Sequence, residues 1–121
     1  MTYDPNNIFA RILRGEIPCN KVYEDDFTLA FHDISPQAPV HILVIPKGQY
    51  TSLDDFAANA SEPEAAALLR ACAKVAEIAG VTGTGWRLLG NVGADGGQEV
   101  PHLHFHVFGG RHLGRMVAKP S

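Results

Sequence analysis

The stretch PHLHFHVFGG restricts the fold more than any other part of the sequence. Its histidines, His102, His104 and His106, alternate with the large apolar residues Leu103 and Phe105. Successive side chains of a β-strand point to opposite faces of a sheet. The alternation therefore predicts a strand that carries three imidazoles on one face and buries Leu103 and Phe105 in a core on the other.

The remaining segments predict the elements around this strand. NNIFARILRGE has the apolar spacing of a short helix, and SEPEAAALLRACAKVAEIAG predicts a long helix with a capping box at Ser61 and Glu64. VHILVIPKG is apolar on both faces, which is typical of a central strand. Further strands are predicted at Val22–Tyr23, at Thr28–Phe31 and in GWRLLGNVG, which we expect to pair antiparallel with HLHFHVFGG. Antiparallel strands with two segregated helices predict an α+β domain.

Composition and charge narrow the classes of function. The 121 residues are 45% hydrophobic and 19% charged, which suits one compact domain. The net charge of −3 argues against a long nucleic acid as partner, because such binding needs a clustered cationic face, but it allows a single nucleotide. Cys19 and Cys72 stand far apart, which favours free thiols in a reducing compartment. We find no signal peptide and no segment long enough to span a membrane, so we expect a cytoplasmic protein with no membrane partner.

The histidines have three possible explanations, of which the first two are weak. A row facing solvent is improbable, because the chain has only six histidines and half of them fall within five residues. Two of the three could bind zinc together with His41. All three could not, because His102 and His106 would lie about 13.6 Å apart at Cα, whereas zinc holds nitrogens at about 2.0–2.1 Å. We therefore predict that the site holds no metal ion.

Nucleophilic catalysis is the third explanation. A neutral imidazole nitrogen can attack phosphorus if an acceptor such as a backbone carbonyl holds a proton on the other ring nitrogen. The central histidine, His104, is best placed for this, and its two neighbours can donate hydrogen bonds to phosphate oxygens. The preceding loop, GADGGQ, supplies small residues whose backbone N–H groups can approach a phosphate.

Several segments resemble one family. HLHFHVFGG resembles the His-φ-His-φ-His-φφ signature (φ, apolar) of the histidine triad (HIT) superfamily of nucleotide hydrolases and transferases. NIFARILRGEIPCNKVYEDD, LAFHDISPQAPVHILVIPK and NVGADGGQEVPHLHFHVFGGR resemble segments of its Hint branch, the nucleoside phosphoramidases. His106 stands where the galactose-1-phosphate uridylyltransferase relatives have Gln, which favours a hydrolase. The GGR that follows resembles Hint proteins rather than the dinucleoside polyphosphate hydrolases.

The resemblance implies a fold and an activity. The fold would be a HIT domain over residues 1–121, with a core at 7–111 and a variable, bacterial-type tail at 112–121. It would contain a five-stranded antiparallel sheet, one long helix and one short helix, and two chains would join into a ten-stranded sheet. The activity would be hydrolysis of the P–N bond of purine nucleoside 5′-phosphoramidates without a cofactor. The alternatives are a nucleotide-binding regulatory protein with little turnover and a dinucleoside polyphosphate hydrolase.

The resemblance also implies a role for each histidine of the site. His104 would be the nucleophile that forms a nucleotidyl-histidine intermediate. His102 would orient it through a backbone carbonyl, and His106 would contact the phosphate. His41 matches the fourth histidine of the family, which supports the triad.

Further residues of this sequence match the family's nucleotide-binding positions. Asp33 would accept the ribose hydroxyls, with His32 and Ile34 beside it. Glu99 stands where animal Hint proteins carry Ser near the leaving group, so a carboxylate there could select cationic leaving groups. Asn91 and Gln98 would contact the phosphate or the leaving group. The apolar slot for the base would be formed by Ile8, Phe9, Ile12, Ile17 and Phe31.

Overall fold

The computed structural model describes residues 2–120, so Met1 and Ser121, the two ends of the predicted domain, lie outside the described residues. It contains three helices: α1 (Ile8–Leu13), α2 (Leu53–Asn59) and α3 (Glu62–Ile78). The five strands are β1 (Lys21–Glu24), β2 (Thr28–His32), β3 (Val40–Pro46), β4 (Arg87–Gly90) and β5 (Phe105–Gly109). The α+β prediction is therefore confirmed. Within residues 2–120, no helix combines the length and apolarity needed to cross a bilayer.

The strands form one antiparallel sheet in the order β1-β2-β3-β5-β4. The predicted central position of β3 and the predicted pairing of β4 with β5 are both confirmed. β3 is central because Ile42, Leu43, Val44 and Ile45 are all buried, so that it contributes apolar side chains to both faces. The two ends of the sheet, β1 and β4, each leave one edge of backbone groups unpaired within it.

The long helix α3 covers one face of the sheet. Ser61 and Glu64 form the predicted capping box, and Gly80 adopts a φ of +77° just after the helix ends, a conformation that glycine adopts without a Cβ penalty. Its buried residues pack with Leu103 and with the side chains of β3 and β5 that face it. Leu103 thus lies in the core beneath the long helix, as the alternation predicts.

The short helix α1 covers only part of the opposite face. Asn7 caps it by accepting the backbone N–H of Ala10. Phe9 packs there against Leu29, Phe31 and Leu43. The part of this face that carries His41, His106 and Phe108 lies beyond α1, and a cavity opens there.

Two elements differ from the sequence prediction. A second short helix, α2, precedes α3, and the histidine strand starts at Phe105 rather than at His102. Continued beyond Phe105, the antiparallel register would pair His104 with Ile45 and then Leu103 with Pro46. Proline has no N–H to donate, and the Pro46 carbonyl accepts the His102 ring instead. The Leu103 N–H is donated to the Tyr50 carbonyl (2.8 Å). The regular strand therefore carries only His106, but His102 and His104 just before it both contact Phe9, on the side of the sheet opposite α3.

The division into a core at 7–111 and a tail at 112–121 stays a prediction. Residues 112–120 contain no helix or strand, and Arg87 fixes the start of this segment by donating to the carbonyls of Gly114 and Arg115.

Candidate active site

The cavity beside α1 has a volume of about 350 Å³, and we call it the His104 pocket. It lies on the sheet face opposite α3, between the start of α1, the loop before β5 and strands β3, β4 and β5. Predicted site residues that line it are Phe9, Asp33, Asn91, Glu99, His104 and His106.

The backbone fixes His104 in one tautomer. Its Nδ1 lies 2.8 Å from the carbonyl oxygen of His102, which can only accept, so Nδ1 carries the proton. In the neutral ring, Nε2 then holds the free lone pair. The ring is 7% exposed and packs edge-on against Phe9, with centroids 4.9 Å apart. A held and oriented imidazole whose second nitrogen is unprotonated is the arrangement that a nucleophile requires.

His102 is a buried structural residue rather than part of the pocket wall. Its ring is fully buried, and Nε2 lies 2.8 Å from the carbonyl oxygen of Pro46, so Nε2 carries the proton. Nδ1 therefore accepts a hydrogen bond from the hydroxyl of Tyr3, at 2.5 Å. With both ring nitrogens engaged, His102 is well fixed, and so is the carbonyl that orients His104.

A second chain of hydrogen bonds fixes the proton of His106. The backbone N–H of Gln37 donates to Nδ1 of His41 (3.1 Å), so the His41 proton sits on Nε2. Nε2 of His41 lies 2.9 Å from Nδ1 of His106, so Nδ1 of His106 must accept this proton in a hydrogen bond. The neutral His106 ring therefore carries its proton on Nε2 and can donate it to a ligand. The pocket thus contains a nitrogen acceptor on His104 and an N–H donor on His106, and their ring centroids are 5.1 Å apart.

Burial keeps these histidines neutral at pH 7. It lowers the pKa of His104 below the ordinary histidine value, and it lowers the pKa of His102 to about 4. Burial also lowers the pKa of His106 to about 4, reinforced by His104 and His41. The pKa of His41 is lowered by burial, against the opposing charge of Asp33.

The neighbouring loops hold this arrangement in place. Gln98 donates from Nε2 to the carbonyls of Thr51 (2.6 Å) and Val100 (3.0 Å), and it accepts the N–H of Gly93 (3.2 Å). Its side chain thus braces the glycine-rich loop, and it lines an adjoining groove rather than the His104 pocket. Asn91 does line the pocket and donates to the Gly96 carbonyl.

Only some of the residues predicted to bind the ribose and the base line the His104 pocket. The Asp33 carboxylate lines the pocket, accepts the N–H of Ser35 (2.7 Å), and lies 3.5 Å from Nε2 of His41. His32 is exposed, and the Ile34 side chain is 93% exposed. Of the five base-slot residues, Phe9 lines the pocket, Phe31 is buried beneath it, and Ile8 is 41% exposed. The other two line a separate groove of about 580 Å³ beside α1: Ile12 and Ile17.

Asp33, His41 and His106 could in principle hold a metal ion, because one ligand atom from each lies within 4.8 Å of the others. The tautomer of His41 does not fit this. An ion on Nε2 would displace the proton to Nδ1, where the backbone N–H of Gln37 already points. The donor set therefore suits a hydrogen-bonded chain better than a metal ion.

The pocket also contains residues that the sequence analysis did not identify: Gln37, Leu43, Leu89, Val100 and Phe108. Gly97, which also lines it, belongs to the predicted glycine-rich loop. The two-residue period of a strand could have found some of them, since Leu43 follows His41, and Phe108 follows His106, on the same face. Nothing local in the sequence indicated Tyr3, which reaches His102 only through the tertiary fold.

Comparison with known proteins identifies the family. Residues 14–113 match the HIT domain family. An uncharacterised 13.2 kDa HIT-like protein of Azospirillum brasilense is 64% identical over 118 residues, covering 98% of this chain and 97% of that protein. The purine nucleoside phosphoramidase of Escherichia coli strain K12 is 47% identical over 111 residues, covering 92% of each chain.

Solved structures show the same fold. A histidine triad protein from Clostridium difficile has a TM-score of 0.83 and 43% identity, covering 96% of this chain and 100% of that one. A HIT family hydrolase from Legionella pneumophila Philadelphia 1 has a TM-score of 0.82 and 43% identity, covering 89% and 96%. With the family match spanning most of the sequence, and the five-stranded sheet shared with these structures, the chain belongs to the HIT family.

Proposed function

We propose that this chain hydrolyses the P–N bond of purine nucleoside 5′-phosphoramidates through a nucleotidyl-histidine intermediate on His104. The observation that carries the proposal is the complementary protonation of two rings in one pocket. His104 presents a free Nε2 lone pair, and His106 presents an N–H donor. The 47% identity to the E. coli purine nucleoside phosphoramidase and the resemblance to a HIT family hydrolase support it.

The reaction would proceed by two displacements at the α-phosphorus. In the first, Nε2 of His104 bonds to phosphorus and the P–N bond breaks. The electron pair leaves on the amine nitrogen, which takes up a proton from water. The imidazolium that forms keeps its Nδ1–H on the carbonyl of His102, which stabilises the positive charge. In the second, water attacks phosphorus, the P–Nε2 bond breaks, and a proton passes to solvent. The products are a nucleoside monophosphate and an amine.

The other pocket residues would bind the nucleotide. The Nε2–H of His106 would donate to a non-bridging oxygen. An approach of loop N–H groups to the phosphate stays a prediction, because Gly97 and Gln98 donate theirs within the loop. Asp33 would accept the ribose hydroxyls, and Phe9 would contact the base. The roles of Asn91, Gln98 and the remaining base-slot residues stay predictions, as does the cytoplasmic location.

We also propose that two chains join edge to edge through β4 into a ten-stranded sheet. β1 and β4 are the two outer strands, and β1 carries the charged residues Lys21 and Glu24, which discourage pairing. β4 also carries Arg87, but its guanidinium is hydrogen-bonded to the carbonyls of Gly114 and Arg115. β4 instead exposes Leu88, which is 39% accessible. A second copy of β4 would pair the free backbone groups and cover this side chain.

Trapping the intermediate tests the proposed mechanism. The protein is mixed with an adenosine 5′-phosphoramidate, quenched in denaturant within one turnover, and analysed by peptide mass spectrometry. We expect an adenylyl group on His104 and a loss of turnover on the order of 10³-fold or more in His104→Ala. The matched control is His112→Ala, because His112 is exposed and outside the pocket. Tight nucleotide binding without an adduct or turnover would favour a nucleotide-binding regulatory protein. Rapid cleavage of dinucleoside polyphosphates, with no cleavage of phosphoramidates, would favour a dinucleoside polyphosphate hydrolase.

A further inference from the structure

A second cavity adjoins the His104 pocket and shares one residue with it. We call it the Pro101 groove. It has a volume of about 530 Å³, and its walls include Thr51, Ser52, Val92, Ala94 and Pro101. The shared residue is Glu99, which lines both cavities and is exposed. The groove therefore meets the His104 pocket at Glu99.

The charge along the two cavities has one sign. Among residues 2–120, the groove wall contains one ionisable side chain, Glu99, and the His104 pocket adds Asp33. Neither wall includes a lysine or an arginine. No ion pair within the described chain engages Glu99, so its carboxylate is free to attract a ligand. Arg111 approaches the pocket only through the carbonyl of Gln37, next to His41 and away from the groove residues.

We infer that the Pro101 groove is the subsite for the leaving amine and that Glu99 makes the enzyme select leaving groups with an additional positive charge. This rests on the proposed phosphoramidase function and adds the substrate class to it. The apolar parts of Val92, Ala94 and Pro101 suit an aliphatic chain, and the carboxylate suits an ammonium group carried on it. A leaving group with a negative charge, such as an amine that bears a carboxylate, would be repelled by Glu99, with no cation nearby to compensate.

The expected discrimination is modest, because Glu99 is exposed. An exposed ion pair contributes up to about a fivefold change in an equilibrium or a rate constant. The attraction should also weaken as salt is raised, since screening acts on exposed charges.

Three adenosine 5′-phosphoramidates of equal chain length would test this. Their amines are 1,5-diaminopentane, pentylamine and 5-aminopentanoate, so the leaving group ends in a cation, a methyl group or an anion. We would measure kcat/KM for each with the wild-type protein, Glu99→Gln and Glu99→Lys. Asp54→Asn is the matched control, because Asp54 is an exposed acid at the start of α2, beside Ser52, that lines neither cavity.

The wild-type protein should prefer the cationic leaving group about fivefold over the neutral one and disfavour the anionic one by a similar factor. Glu99→Gln should make the three kcat/KM values similar, and Glu99→Lys should invert the order. Asp54→Asn should keep the wild-type order. Equal kcat/KM values for the three substrates in the wild-type protein would overturn the role of Glu99, and so would a loss of the preference in Asp54→Asn as large as in Glu99→Gln. Either result would leave the phosphoramidase function intact. If no substrate of the three is cleaved, both proposals fail.

Discussion

Removal of one hydroxyl group, in Tyr3→Phe, tests whether the N-terminal segment fixes the catalytic histidines. The Tyr3 hydroxyl donates to Nδ1 of His102 at 2.5 Å, and the His102 ring is fully buried. The phenylalanine ring keeps the edge-on contact with His102, whose centroid lies 5.6 Å away, so little packing is lost. What remains is a buried nitrogen acceptor without a donor.

Leaving such a group unsatisfied costs about 1–3 kcal/mol. We therefore expect Tyr3→Phe to lower the free energy of unfolding by about 2 kcal/mol, which corresponds to a fall in Tm of about 8 °C for a chain of this size. The measurement is urea unfolding and thermal unfolding at pH 7.5, with all variants at the same protein concentration, because an oligomer's stability depends on concentration.

The matched control is Tyr23→Phe. The Tyr23 hydroxyl donates to the Asp25 carboxylate at 3.0 Å, near the surface, where water can replace it. Its removal should change the free energy of unfolding by about 0.5 kcal/mol or less. If Tyr3→Phe is no more destabilising than Tyr23→Phe, then the Tyr3 hydroxyl does not hold His102, and the ring is fixed by its hydrogen bond to Pro46 alone.

Two other predictions concern pH and assembly. Burial lowers the pKa of His102 from 6.5 to about 4, so between these values the unfolded chain binds a proton that the folded protein does not. The stability is therefore fully present well above pH 6.5 and falls as pH drops, and this residue alone lowers it by about 2 kcal/mol at pH 5. Urea unfolding at intervals across that range checks this, and a flat profile would contradict it. For assembly, sedimentation should give twice the mass of one chain for the wild-type protein and one chain mass for Leu88→Glu, which places a charge on the β4 edge. Phe27→Glu, at a similarly exposed apolar residue in the β1–β2 turn, should remain dimeric; a monomeric wild-type protein would exclude the β4 dimer.

Much of the fold could be read from local sequence patterns. The capping box at Ser61 and Glu64 marked the start of α3, and the apolar run in VHILVIPKG marked the central strand. These patterns work because helix caps and strand alternation depend on residues a few positions apart. Helix α2 was missed, because LDDFAAN has only one buried apolar residue, Phe56, and too little periodicity to reveal a helix of seven residues.

Local patterns alone predict a histidine row after a glycine-rich loop, with Leu103 directed into the core. What each imidazole ring does depends on contacts that only the folded chain makes. His102 carries its proton on Nε2 because the carbonyl of Pro46, 56 residues earlier, accepts it, and the tautomer of His106 depends on His41 and the Gln37 amide. Proton positions follow from which donors and acceptors meet in space, and local spacing carries no information about partners so distant along the chain.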